Sequence, residues 1–442
     1  MIRRTKESAL LYAATALVFF LFALRFWLAS MGKALWGDEA VAMAIIRIYS
    51  YGQFLVQGSP EASPNPLYYL LDKLSFDLYG AEPQFWWDLR LFNRILPATY
   101  WAVAGASVFA WTYRRSMQRL AMRPLWAFVT ALGIAVFFHS CSFMNTYAIE
   151  DRAYSLWVSL STLQFLAWLD LLLDAKQRGA WVRYGTFSVL MVLTAAPALG
   201  QVALGLLVLL VLQSWESRGR GMKRFAVRGG VLFFLCASLE FLYFRRGNMP
   251  YDTGWFTYAR YFESLGEVIA KAFHHHSAKG LAITMPLLFV FLPFWRRRER
   301  KLLALVAYNI GLLALTFLCF KGAQAKGGMW VSRYVIFLIP SFVAHYLLAL
   351  ALIGRWLGKR IPKGKIKIRN EWLVLGIWAL FQVFSLGGKN YVLAPIRDWP
   401  KFRERNAYAY NPSGKCRALG GAEFQALDAF NDLCRGIVSS QP

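Results

Sequence analysis

Asp38 and Glu39 stand side by side in "ALWGDEAVAM", Ala34 to Met43, directly after the first long apolar run of the chain. At a helix start such a pair can accept backbone N–H hydrogen bonds as a cap. Trp36 and Gly37 put the turn at an interface, and several later loops present charges of their own. A second set lies in "NTYAIEDRAYSLW", Asn145 to Trp157, where Glu150, Asp151 and Arg152 are flanked by Tyr147 and Tyr154. A charged triplet between two apolar runs needs water or partners, and an internal Asp151–Arg152 pair is one way to supply them. The third set is "MWVSRYVIFLIP", Met329 to Pro340, with Arg333 and Tyr334 at the start of an apolar run and Lys321 and Lys326 just upstream. An Arg there can snorkel to an interface, or its planar fork of donors can bind a phosphate. Arg90 and Arg94 open another run in "RLFNRILPA". His274 to His276 are consecutive, so the three cannot all face one metal from one helix.

The elements that must position these residues are membrane spans. The chain is 57% hydrophobic and 17% charged over 442 residues, richer in apolar side chains than a soluble domain. Residues 9–31 form one apolar run, longer than the roughly 20 residues a spanning helix needs and too long for a signal peptide. The net charge of +26 would suggest nucleic acid in a soluble protein. Here the cations sort between apolar runs, which excludes that reading. They cluster at the N-terminus, at 114–123, 176–183, 218–228 and 296–301, and at 355–369. The positive-inside rule places all six clusters in the cytoplasm.

With those segments inside, the spans fall at 9–31, 95–113, 125–143, 154–173, 181–196, 199–214, 229–244, 280–295, 302–320, 334–353 and 371–388. The expected fold is all-α, an integral membrane protein of about eleven transmembrane helices. Pro197 and Gly200 would permit a tight outer turn between the fifth and sixth. Asn65 to Gly80 carries Asp72, Lys73 and Asp77, costly at bilayer depth, so it reads as a helix in the outer interface, as does Asp38 to Gln57. The outer side then holds residues 32–94, rich in acids, a short loop at 144–153, the loop 245–279, and a tail at 389–442. Cys141, Cys236 and Cys319 fall in or beside apolar runs; Cys416 and Cys434 lie in the tail, where a disulfide between them could persist. No Asn-x-Ser/Thr sequon with a permitted middle residue occurs, which favours a bacterial inner membrane with its outer face in the periplasm.

Taken in order, these elements resemble the polyprenyl-phosphate-sugar-dependent glycosyltransferases of the GT-C fold, the protein O-mannosyltransferase and lipid A aminoarabinose transferase superfamily. The resemblance rests on Trp36, Asp38 and Glu39 after the first span, then Asn65, Pro66, Leu67, Tyr68 and Tyr69 in the interfacial helix. It continues through Arg94, Ile95, Leu96 and Pro97, then Tyr147, Ala148, Glu150, Arg152, Tyr154, Ser155 and Leu156, and ends at Arg333 and Tyr334. It covers roughly residues 9–400, with residues 1–388 as the catalytic domain. Ala153 and Ala98 depart from the usual Pro and Ser, and the tail is too small for a folded acceptor-binding domain.

The resemblance implies an inverting transfer of a sugar from a polyprenyl phosphate to a hydroxyl of a lipid, glycan or protein, on the non-cytoplasmic face. Asp38 would be the general base, oriented by Glu39. An ordinary carboxyl pKa of about 4 makes a weak base, so desolvation at the membrane lip should raise it. Arg333 and Tyr334, with Arg152 and Lys326, would hold the leaving phosphate. Tyr68, Arg94, Glu150, Asp151 and Tyr154 would contact substrate, and the aromatic run "YDTGWFTYARYF" in the 245–279 loop offers faces for sugar stacking. The resemblance leaves a metal open: Asp38 with Glu150 or Asp151 could hold a divalent cation, and relatives closer to this motif pattern generally manage without one. Two other classes compete: a transporter or flippase, which would show internal repeats and deep intramembrane charges, and a polysaccharide polymerase or ligase leaning on the His274 to His276 loop.

Overall fold

A computed structural model describes residues 2–31, 39, 42, 45–46, 49–59, 65–79, 86–150, 152–217, 222–244, 257–272, 300–325 and 330–360. Everything described is helix, turn or irregular chain. Helix α1 spans Ile2–Met31, α2 Tyr51–Gln57, α3 Leu67–Tyr79, α4 Trp86–Leu120 and α5 Pro124–His139. A single turn, α6, covers Met144–Tyr147, followed by α7 Tyr154–Leu173, α8 Arg178–Val192, α9 Ala198–Ser217 and α10 Met222–Phe244. Then come α11 Tyr258–Ala272, α12 Arg300–Ala325, a 3-10 segment Ser332–Leu338, and α13 Ile339–Arg360. Among the described residues six stretches are long and apolar enough to cross a membrane: Ala9–Ser30, Tyr154–Leu173, Ala198–Trp215, Met222–Tyr243, Arg300–Ala325 and Ser332–Ala349. The chain is an integral membrane protein. The expected spans at 280–295 and 371–388, and the Cys416–Cys434 pairing, lie outside the described residues.

The centre of the bundle is α4, which packs against α1, α5 and α7. The fully buried Trp101 of α4 donates its Nε1–H to the His139 carbonyl at 3.1 Å. The His139 ring stacks on Phe22 of α1, centroids 3.8 Å apart. With little hydrophobic drive between helices inside lipid, close approach depends on small residues. Gly200 of α9 and Gly311 of α12 supply it reciprocally: a Cβ on Gly200 would lie 2.4 Å from Leu315, and one on Gly311 would lie 2.3 Å from Leu204. Gly200 therefore serves this crossing, from inside α9, and the turn after α8 is made by residues 193–197.

The two ends of the bundle differ in chemistry. At one end Asp170 of α7 accepts from Trp111 Nε1–H of α4 at 2.8 Å, from Arg183 of α8 at 2.7 Å, and from Arg115 of α4. Beside it Lys301 donates to the Leu173 carbonyl at 2.8 Å and Arg300 to the Trp215 carbonyl at 2.6 Å. Three of the basic clusters thus share one end, as expected of a single membrane side.

At the opposite end lie α2 and α3. Ser50 and Gln53 form a reciprocal capping box that starts α2. Leu67 N–H donates to the Leu193 carbonyl at 2.9 Å, and the Asn65 amide donates to the Val192 carbonyl at 2.6 Å and to Glu240 at 3.3 Å. On α3, Asp72 is fully buried, whereas the Lys73–Asp77 pair sits with the exposed Leu74 and Leu78.

Candidate active site

Glu39 is helical and completely buried. Arg94, in the N-terminal part of α4, grips it with two parallel bonds, Nε to Oε1 at 2.9 Å and Nη2 to Oε2 at 2.7 Å. The remaining Nη1 donates to the Ser30 carbonyl at 3.1 Å, near the end of α1. A charged pair removed from water holds only if the geometry is good and the other donors are used, and this pair meets both conditions. The sequence suggests Arg94 as a substrate contact; the structure assigns its donors to Glu39 and α1 and leaves it 1% exposed. Asp38 lies outside the described residues, one position from this anchored carboxylate. Tyr68 is also 1% exposed, its ring set edge-on to Tyr69 at 5.2 Å.

The second and third charged sets, far apart in sequence, meet in space. Arg333 lies over the Tyr154 ring, 5.4 Å from its centroid, and Tyr154 stands edge-on to Tyr147 at 5.5 Å. Arg333 and Glu150 are both buried, whereas Tyr147, Tyr154, Arg152 and Tyr334 are partly open to solvent. The arrangement is a floor carrying a guanidinium and a carboxylate under a rim of tyrosines. Burial pushes the Tyr147 hydroxyl well above its ordinary pKa. The Arg333 charge offsets part of that, and Glu150, Tyr154 and Glu267 add to it. Tyr147 therefore keeps its proton and remains a donor at the edge of the site.

Local sequence explains how Arg333 gets there. Pro340 has no N–H to bond the Ile336 carbonyl in the α-helical pattern, and the Ile339 N–H bonds it instead. Ser332–Leu338 is therefore 3-10 helix, and the α-helix begins only at Ile339. The expected span at 334–353 thus starts with a tighter coil. One contact then joins the two charged groups: Ser155 Oγ, next to Tyr154, donates to the Pro97 carbonyl at 2.5 Å. Pro97 lies three residues from Arg94, about 4.5 Å along α4 at the usual rise. The anchored acid and the guanidinium floor are therefore parts of one end of one bundle.

The loop helix α11 covers this end. Ser142 donates through both Oγ, at 3.0 Å, and N–H, at 3.2 Å, to the Lys271 carbonyl. At the other end of α11, Tyr261 is buried among Phe317, Phe320 and Trp330, and its hydroxyl bonds Thr316 at 2.8 Å. That aromatic ring is committed to packing on α12. Lys321 donates to the Tyr258 hydroxyl at 2.7 Å. Asp151, Lys326 and His274 to His276 lie outside the described residues. Among the described residues no group of three or more His, Cys, Asp or Glu could hold a metal.

Comparison with solved structures finds ArnT from Cupriavidus metallidurans, in the apo state, at 16% identity and a TM-score of 0.48, covering 88% of this chain and 72% of that one. The same protein bound to undecaprenyl phosphate matches at 14% identity and a TM-score of 0.47, over the same shares. The archaeal oligosaccharyltransferase AglB from Archaeoglobus fulgidus, in complex with an inhibitory peptide and a dolichol-phosphate, matches at 12% and 0.48, covering 98% of this chain and 64% of that one. No protein-family model matches the chain, and no curated protein matches it.

Proposed function

We propose that the chain is a membrane glycosyltransferase that moves a sugar from a polyprenyl-phosphate donor to a hydroxyl acceptor on the non-cytoplasmic face, with residues 1–388 as the catalytic domain. The observation that carries this reading is the meeting of Arg333 with Tyr147, Glu150 and Tyr154 at the end of the bundle opposite the basic clusters at 114–123, 176–183 and 296–301. A lipid-linked donor keeps its isoprenoid in the bilayer and brings its phosphate to the interface. A buried guanidinium at that depth is suited to the departing phosphate, since it pairs with oxyanions through fixed donors and cannot lose its proton. Arg152 adds charge beside it, a role we also assign to Lys326, and Tyr147 and Tyr334 border the guanidinium.

The acceptor hydroxyl needs a base, which we assign to Asp38. The Arg94 fork fixes Glu39, the next residue along the chain, which we assign the role of orienting the base. Asp38 takes the hydroxyl proton as the acceptor oxygen bonds to the anomeric carbon, and the carbon–phosphate oxygen bond breaks with its electron pair going to the lipid phosphate. A single displacement inverts the anomeric configuration.

Binding of undecaprenyl phosphate to the purified chain in lipid nanodiscs tests the phosphate assignment. Arg333→Ala should weaken it by at least tenfold and Arg333→Lys by less. Unchanged affinity in Arg333→Ala would remove the residue from the site.

A further inference from the structure

Glu267 and Lys271 lie one turn apart on α11, joined Nζ to Oε1 at 2.5 Å, each a little over one-third exposed. Their helix packs against the 3-10 segment that carries Arg333. Its C-terminal carbonyl is tied to the 141–147 segment by the two Ser142 bonds and by the Cys141 thiol, which donates to it at 3.7 Å. Lys271 Nζ stands 5.8 Å from the Phe143 ring centroid, and Phe143 lies against Tyr147, centroids 4.8 Å apart. The Glu267 charge reaches the Tyr147 hydroxyl, as the Arg333 and Glu150 charges do. Tyr147 is thus the shared wall between the guanidinium floor and the end of α11.

We propose that Glu267 and Lys271, with the ring and hydroxyl of Tyr147, form the subsite that grips the transferred sugar, and that this sugar is neutral. The proposal rests on the glycosyltransferase reading. A pyranose or furanose offers neighbouring hydroxyls that both donate and accept, and an ion pair answers both: the carboxylate accepts and the ammonium donates. An apolar sugar face needs an aromatic wall, which the partly exposed Tyr147 ring supplies, backed by the buried Phe143. The pair has no net charge, so an amino sugar or a uronic acid would leave one member facing its like. As a structural element the pair is dispensable, because a partly exposed i,i+4 pair contributes little to stability. Its fixed position comes from the Ser142 bonds instead.

The test compares two lipids on the full chain in nanodiscs: undecaprenyl phosphate, and the undecaprenyl-phosphate sugar that wild type transfers best from a panel of glucose, mannose, galactose and 4-amino-arabinose donors. Glu267→Gln and Lys271→Met should each weaken the sugar-bearing lipid about tenfold and leave the bare lipid phosphate within about twofold. The exchanged variant, Glu267→Lys with Lys271→Glu, keeps the helix pair yet should lose the same sugar affinity. Equal weakening of both lipids, no change in either, wild-type affinity in the exchanged variant, or preference of the wild type for the amino sugar would each overturn the proposal. Absence of transfer from every donor by the wild type would refute the glycosyltransferase reading itself.

Discussion

Glu39 and Arg94 are buried together, so removing one strands the charge of the other. Arg94→Ala should destabilise the chain by about 3–5 kcal/mol, read as a fall in thermal unfolding temperature in detergent. Replacing both at once, Arg94→Met with Glu39→Leu, should recover most of that stability, since buried ion pairs exchange for apolar groups at little cost. Transfer should still be lost in the double variant, because nothing then orients Asp38; full activity there would reduce the pair to a packing device. Tyr147 carries a pH prediction. Its hydroxyl is held above its unfolded value of about 10, so folding favours the protonated form. The stability it contributes is complete below that pH and declines as the pH rises toward the folded pKa. Above about pH 10 wild type should therefore lose stability more steeply than Tyr147→Phe, and parallel curves would contradict the burial. From the sequence, Glu39 and Arg94 each stand out as charges beside apolar runs. Their pairing does not, because 55 residues separate them and no local spacing encodes the contact.

At the scale of elements, apolar runs are legible where lipid demands length, and α7 falls on the expected 154–173 to the residue. Departures come where packing decides. Gly200 reads as a turn residue next to Pro197, yet it lies in α9 because Leu315 of α12 needs the space. Gly311→Ala should cost roughly 1–3 kcal/mol by pushing Leu204 aside. Adding Leu204→Ala should bring the pair closer to wild type than the sum of the single effects, measured by thermal unfolding. Additive losses would show that the helices do not cross there. Pro340 likewise delays the α-helix of the last described span, and Arg333 sits in the tighter coil that results. The Ser155–Pro97 bond ties the start of α7 to α4 within a turn of Arg94, so Ser155→Ala should cost about 1 kcal/mol and lower transfer more than its distance from the base suggests. Wild-type transfer in Ser155→Ala would uncouple the two charged groups.

Across the described residues, the basic clusters at 114–123, 176–183 and 296–301 and the charged set of Glu150, Arg152 and Arg333 occupy opposite ends, as the alternation of cations with apolar runs leads one to expect. What was not legible is which outer charges meet: Arg333 reaches Tyr154 only because α7 and the 3-10 segment pack side by side. Arg119 and Arg260 are both exposed, one at each end. In intact spheroplasts a membrane-impermeant maleimide should label Arg260→Cys and spare Arg119→Cys. The reverse pattern would invert the topology. The glycosyltransferase reading stands most directly on Asp38. Transfer of radiolabelled sugar from a panel of polyprenyl-phosphate donors, in membranes holding equal amounts of wild type and Asp38→Asn, should show one donor consumed by wild type and transfer reduced at least a hundredfold in the variant, the lower end of a general base's contribution. Equal transfer by the two proteins, or none by wild type from any donor, would contradict it.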